Sequence, residues 1–122
     1  MKYLVDSNIF IYYLNGDKNI FSFIETNKDK IAISIITFYE VLNFDFKEEE
    51  ELAVKSFLEN FEIINISKKI VELSLSLRKL KKIKMADNFI LSTAKLYDLI
   101  LVTRNIDDFK GFEVEILNPF ER

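Results

Sequence analysis

Short apolar, often β-branched runs alternate along this chain with longer stretches whose apolar positions recur at helical spacing. Residues 3–5 read as a brief buried strand, followed by a helix through Ile9, Phe10, Tyr12, Tyr13 and Leu14 that stops at Asn15-Gly16. A second helix is predicted over about residues 17–26 and a strand over 31–34. Residues 36–46 and then 47–60 have helical patterns, and 62–66 read as a strand. Ser67 is placed to cap a long helix running toward Lys84, with Ile70, Val71, Leu73, Leu75, Leu77 and Leu80 as its apolar positions. A helix over 85–97 and strands over 100–102 and 114–117 complete the pattern. Strands alternating with helices predict an α/β fold in three layers, an α/β/α sandwich around a central parallel sheet.

Composition narrows the chemistry. The 122 residues suit one domain spanning 1–122, and 49% apolar content is enough for a packed core. There is no cysteine, which excludes a disulfide framework and agrees with a cytoplasmic location. No stretch approaches the roughly 20 apolar residues that span a bilayer, so a membrane is not expected as a partner. Histidine is also absent, so neither imidazole acid–base catalysis nor soft metal sites are available. Carboxylates with a hard cation remain.

The net charge of −3 is unevenly spread. Residues 1–67 carry 6 Lys+Arg against 12 Asp+Glu, and residues 68–122 carry 11 against 8. Much of the basic excess lies in Arg78, Lys79, Lys81, Lys82 and Lys84, just before Asp87. Such a cluster suits either a solvated helix face or a local surface for a phosphate backbone.

Five acids stand at informative places. Asp6 follows the first strand, Asp107 and Asp108 follow the strand at 100–102, and ligands of parallel sheets gather beyond the carboxyl ends of strands. Glu40 shares a narrow polar stripe with Thr37 and Asn43 on a helix otherwise so apolar that it reads as largely buried. Asp87 continues the apolar face of Ile90, Leu91 and Ala94, where a carboxylate is unfavourable unless paired or bound to a cation. Each acid also has an ordinary explanation. Asp6, Ser7 and Asn8 are good helix caps, Asp87 suits a helix N-terminus, and Asn105 to Asp108 is common turn chemistry. If several of these acids converge, they repel one another, and a divalent ion removes that penalty.

Four stretches together resemble the PIN-domain family, in particular its small VapC-type toxins. They are Tyr3-Leu4-Val5-Asp6-Ser7-Asn8, the Glu40 helix, Ala86-Asp87-Asn88-Phe89-Ile90-Leu91-Ser92-Thr93-Ala94, and Leu101-Val102-Thr103-Arg104-Asn105-Ile106-Asp107-Asp108-Phe109. Leu117-Asn118-Pro119 is similar to the family's last strand and its exit. The resemblance lies in order and spacing across nearly the whole chain. It implies a Mg²⁺-dependent endoribonuclease, with Mn²⁺ as substitute, whose catalytic and metal-binding acids are Asp6, Glu40, Asp87 and Asp108. Asp107 is the alternative fourth acid if the loop is shifted by one. Ser7, Asn8, Thr103 and Asn105 are the implied supporting residues. The implied partners are an RNA substrate and a cognate antitoxin, with a homodimer as the usual assembly. A housekeeping PIN nuclease of RNA processing, or a non-catalytic protein-binding module on the same fold, are the alternatives. A receiver-like phosphoacceptor domain would need an aspartate ending the strand at 62–66, and none is there. Asp98 stands where the family often has Gly, and Asn88 and Phe89 depart from its usual residues.

Overall fold

The computed structural model describes residues 1–120. Among them are strands β1 (Tyr3–Val5), β2 (Ile31–Ser34), β3 (Glu62–Ile64), β4 (Ile100–Val102) and β5 (Ile116–Leu117). They pair in parallel in the order β3-β2-β1-β4-β5. The helices are α1 (Ser7–Leu14), α2 (Lys18–Asn27), α3 (Ile35–Leu42), α4 (Glu48–Leu58), α5 (Lys68–Leu77) and α6 (Met85–Leu96). The expected α/β/α sandwich is therefore what forms.

Alternation along the strands builds the two outer layers. Leu4, Ala32 and Leu101 pack on one face with Ile70 and Leu77 of α5 and Ile90 and Leu91 of α6. Val5, Ile31, Ile33 and Val102 pack on the other with Ile9 and Phe10 of α1, Ile20 and Ile24 of α2, and Val54 and Leu58 of α4. Because the central strands β2, β1 and β4 are covered on both sides, they read as near-continuous apolar sequence.

Several boundaries differ from those expected. β3 ends at Ile64 because its partner β2 ends at Ser34, whose hydroxyl turns to accept from the Ile36 N–H and start α3. α3 stops at Leu42, two short polar residues, Asn43 and Asp45, being poor helix formers there. α5 ends at Leu77, where the predicted helix toward Lys84 would have stacked Arg78, Lys79, Lys81 and Lys82 within a turn of one another. Like charges at that spacing destabilise a helix, and residues 78–84 form a turn followed by an irregular connection instead. β5 covers only 116–117 because Val114 N–H bonds back to the Phe112 carbonyl.

Two sequence departures acquire a structural role. Asp98 takes the left-handed conformation (φ 53°) after α6, and the N–H groups of Asp98 and Leu99 close onto the carbonyls of Lys95 and Ala94. Asn88 is buried and turned toward α5, donating to the Ser74 carbonyl at 2.7 Å and accepting from Ser92 Oγ at 3.2 Å. It therefore ties α6 to α5. Replacing Asn88 with Leu should strand the Ser92 hydroxyl and destabilise the fold by about 1–3 kcal/mol. Urea unfolding would read this as a lower midpoint with an unchanged slope, and an unchanged midpoint would refute the role.

Candidate active site

Strand order reverses at β1, with β2 and β3 on one side and β4 and β5 on the other. The crevice beyond the carboxyl ends of β1 and β4 is thus the switch point of the sheet. Val5 pairs with Val102, so the next residues, Asp6 and Thr103, lie side by side. Asp6 N–H donates to the Val102 carbonyl at 2.9 Å, and Thr103 Oγ1 donates to Asp6 Oδ2 at 2.9 Å. Asn8 Nδ2 reaches the same oxygen at 3.0 Å, while Ser7 N–H caps Oδ1 at 2.8 Å. Asp6 is thus the N-cap of α1 and also a carboxylate only 4% exposed at the sheet edge. Burial pushes its carboxyl up from the usual range and the Glu40 charge adds to this, while bonds from Thr103, Ser7 and Asn8 draw it back.

Glu40 reaches this cradle through Ser7, whose hydroxyl donates to Glu40 Oε1 at 3.0 Å. The expectation that its helix is largely buried is not met. Thr37 and Val41 are the buried residues of α3, while Tyr39 is 64% exposed and Glu40 and Asn43 face outward. An eight-residue helix projecting from the end of β2 has only one seam to bury, against α1, α4 and α6. The polar stripe is accordingly split, and the buried Thr37 hydroxyl is left without a hydrogen-bond partner.

Asp87 lies in the first turn of α6, half-buried, and receives no hydrogen bond within the described residues. It is therefore not a capping side chain. Its carboxyl is pushed up by burial first, then by the negative charges of Asp6 and Asp108, with Lys84 opposing them. Asp108 therefore bears on this centre. Asp107 is drawn to Lys110 at 2.9 Å, which holds its carboxyl below the ordinary range. Asn105 N–H donates to Thr103 Oγ1 at 3.1 Å, so Asn105 supports the cradle through its backbone.

These oxygen-only donors suit a hard divalent cation, and Asp87, which receives no hydrogen bond among the described residues, is opposed only by the Lys84 charge. Among the described residues, no three acidic side chains stand close enough to hold an ion between them. The chemistry of the donor set, oxygen only with the charges of Asp6 and Asp108 acting on Asp87, suits a hard cation that keeps several of its waters.

The basic cluster flanks this centre from the turns between α5 and α6. Lys81, Lys82, Ile83 and Lys84 line one hollow with Asp87, Asp107 and Asp108. Lys81 is committed to the Lys110 carbonyl, and Arg78 and Lys79 line a separate hollow with Lys82 and Ile83. On the opposite flank stands Arg104, which hydropathy patterning passes over as an exposed loop residue. Its signal is position alone, one residue after Thr103.

Similar solved structures include a toxin–antitoxin complex from Klebsiella pneumoniae, 38% identical over 99% of this chain and 100% of that one, with a TM-score of 0.88. VapBC2 from Rickettsia felis bound to promoter DNA is 29% identical over 97% and 98%, with a TM-score of 0.82. DNA-bound VapBC from Salmonella typhimurium is 22% identical over 98% of both chains (TM-score 0.84), a likeness of fold. No curated protein matches. Residues 3–114 match the PIN domain, and the chain belongs to that family, with its likeness among solved structures to VapC-type toxins.

Folded Asp87 holds its proton more tightly than the unfolded chain, whose value is near 3.8, so stability falls as pH rises through the interval above that value. Asp87→Asn should therefore stabilise the metal-free protein at neutral pH, with the advantage shrinking as pH falls toward 3.8. Urea midpoints in EDTA across this range test it; a pH-independent difference would rule out a raised Asp87.

Proposed function

We propose that this protein is a divalent-metal-dependent endoribonuclease, the toxin of a toxin–antitoxin pair acting in the cytoplasm. The observation that carries the reading is the hydrogen-bonded cradle of the buried Asp6 at the switch point of the sheet, with the charges of Asp6 and Asp108 both acting on Asp87 of α6. Membership of the PIN-domain family supports it, and the Klebsiella toxin–antitoxin complex supports a protein antitoxin as partner. A homodimer belongs to the same reading. No helix of the described residues is long and apolar enough to cross a membrane.

Asp6 and Asp87 would hold Mg²⁺, or Mn²⁺ in its place, with Asp108 acting directly or through water. Bound there, the ion supplies charge neutralisation at the scissile phosphate and lowers the pKa of a water. The residues of the chain do the rest. Thr103, Asn8 and the Ser7 N–H fix both oxygens of Asp6, so no rotamer freedom is lost when ligand arrives. Glu40, exposed and held by Ser7 Oγ, is set to orient the attacking water and take its proton. Lys82 and Lys84 offset the negative field that would repel an RNA strand.

Cleavage of a mixed tRNA and rRNA panel by antitoxin-free protein, with Mg²⁺ or Mn²⁺ and with EDTA, tests the reading. Discrete cuts are expected that need metal and vanish in Asp87→Asn purified the same way. Thr103→Val, which removes one donor from Asp6, should lower the rate about 10–100-fold. Equal cleavage by wild type and Asp87→Asn, or none by folded, metal-loaded protein, would favour a protein-binding module.

The lysine flank is tested by binding. Lys82→Glu with Lys84→Glu should weaken RNA binding at low salt and flatten its salt dependence by about 0.7 for each lost phosphate contact. Unchanged affinity and slope would remove these lysines from the interface.

A further inference from the structure

Arg104 is held on three sides. Its backbone N–H donates to Asn8 Oδ1 at 3.2 Å, the same side chain that grips Asp6. Its guanidinium lies over the Tyr12 ring at 5.0 Å and the Phe120 ring at 4.7 Å, and Nη1 donates to the Tyr12 hydroxyl. The two rings meet edge to face at 4.8 Å, forming a corner in which the planar group is fixed.

Among the described residues this cation has no anionic partner. Asp107 and Asp108 are in the same loop and line the same hollow, yet no carboxylate of the described residues pairs with Arg104. Asp107 takes Lys110 instead. Of five guanidinium donors one is used on Tyr12, so a fork remains for a planar or tetrahedral anion. An arginine needed only as a brace for the C-terminal segment would not require that exposed remainder.

The surroundings say which anion. The hollow beside Arg104, about 400 Å³, is lined by Asn105, Ile106, Asp107, Asp108 and Asn118. At Asp107 and Asp108 it meets the hollow of about 370 Å³ that holds Lys82, Lys84 and Asp87. The acids thus lie between two basic flanks. A polyanion crossing them is repelled at the centre and attracted on both sides, and only a strand long enough to span both gains from the pair.

We propose that Arg104, fixed by Tyr12 and Phe120, is a phosphate subsite for the RNA strand on the opposite side of the acids from Lys82 and Lys84. This rests on the ribonuclease reading above and adds a direction to it. The strand runs from the turns between α5 and α6, over Asp87 and Asp108, to the exit of β4. Because the guanidinium is already ordered, little entropy is lost on binding.

Anisotropy of a short fluorescein-labelled single-stranded RNA, in EDTA so that no cutting occurs, tests it apart from catalysis. Arg104→Ala should weaken binding about tenfold or more and lower the salt slope by about 0.7. Arg104→Lys should keep the salt slope but recover only part of the affinity, since charge returns without the fork. Tyr12→Phe, which keeps the ring and removes the hydroxyl, should fall between wild type and Arg104→Ala. Urea unfolding of each variant separates lost binding from lost folding. Arg104→Ala binding as tightly as wild type, with the same slope, would make the side chain a brace only and leave the ribonuclease reading standing. Wild type that neither binds RNA nor cuts it with metal would overturn both.

Discussion

Val5 pairs with Val102, and that single parallel register decides what the crevice contains. It sets Asp6 beside Thr103, lets the Asp6 N–H close onto the Val102 carbonyl, and brings Asn8 within reach of both strand exits. A slip of one residue would also exchange Leu4 and Val5 between the two apolar layers, so the core enforces the register the site depends on. Stability and site geometry are therefore carried by the same hydrogen-bond ladder.

The crevice is an electrostatic compromise. Asp6 is buried and compensated by neutral donors, Asp87 is half-buried with only the Lys84 charge opposing its acidic neighbours, and Asp108 stays exposed while still acting on Asp87. The result is concentrated negative potential where a parallel sheet presents its ligand site. Basic groups border it from the turns after α5 and from the loop after β4. A centre so organised suits a cation at its middle and an anion laid across it.

How much of this was legible in the sequence depended on the kind of signal. β1, β2 and β4 were readable to the residue because β-branched and apolar runs end abruptly at Asp6, Ser34 and Thr103. The Ser67 cap was visible as a hydroxyl just before a helical period, whereas Asp17, read as the first residue of its helix, is that helix's cap. Residues 78–84 misled because Leu80 and Ile83 continue the apolar period of α5, while charge repulsion, which periodicity ignores, ends the helix. Glu40 was legible as a polar line on an apolar rod, but exposure of that rod depends on how few neighbours a short helix meets. The candidate acids could be named from order and spacing, whereas the pairing of Asp107 with Lys110 and the action of the Asp108 charge on Asp87 emerge only in three dimensions. Arg104 was beyond sequence reasoning, because its corner joins α1, the β4 exit and Phe120 near the end of the chain.

The bond from Thr103 to Asp6 closes a loop of 97 residues. Chain synthesis proceeds from the N-terminus, so Asp6 is made before β4 and lacks this partner until β4 has emerged and docked. The intervening helices can pack earlier; the crevice cannot assemble before them. A growing chain on the ribosome, surrounded by RNA, thus carries Asp6 in an unfinished setting until Thr103 has been added. Fragments ending before Thr103 share that state permanently. Parallel topology, slow to fold because its contacts are distant in sequence, also acts here as a timer on the site.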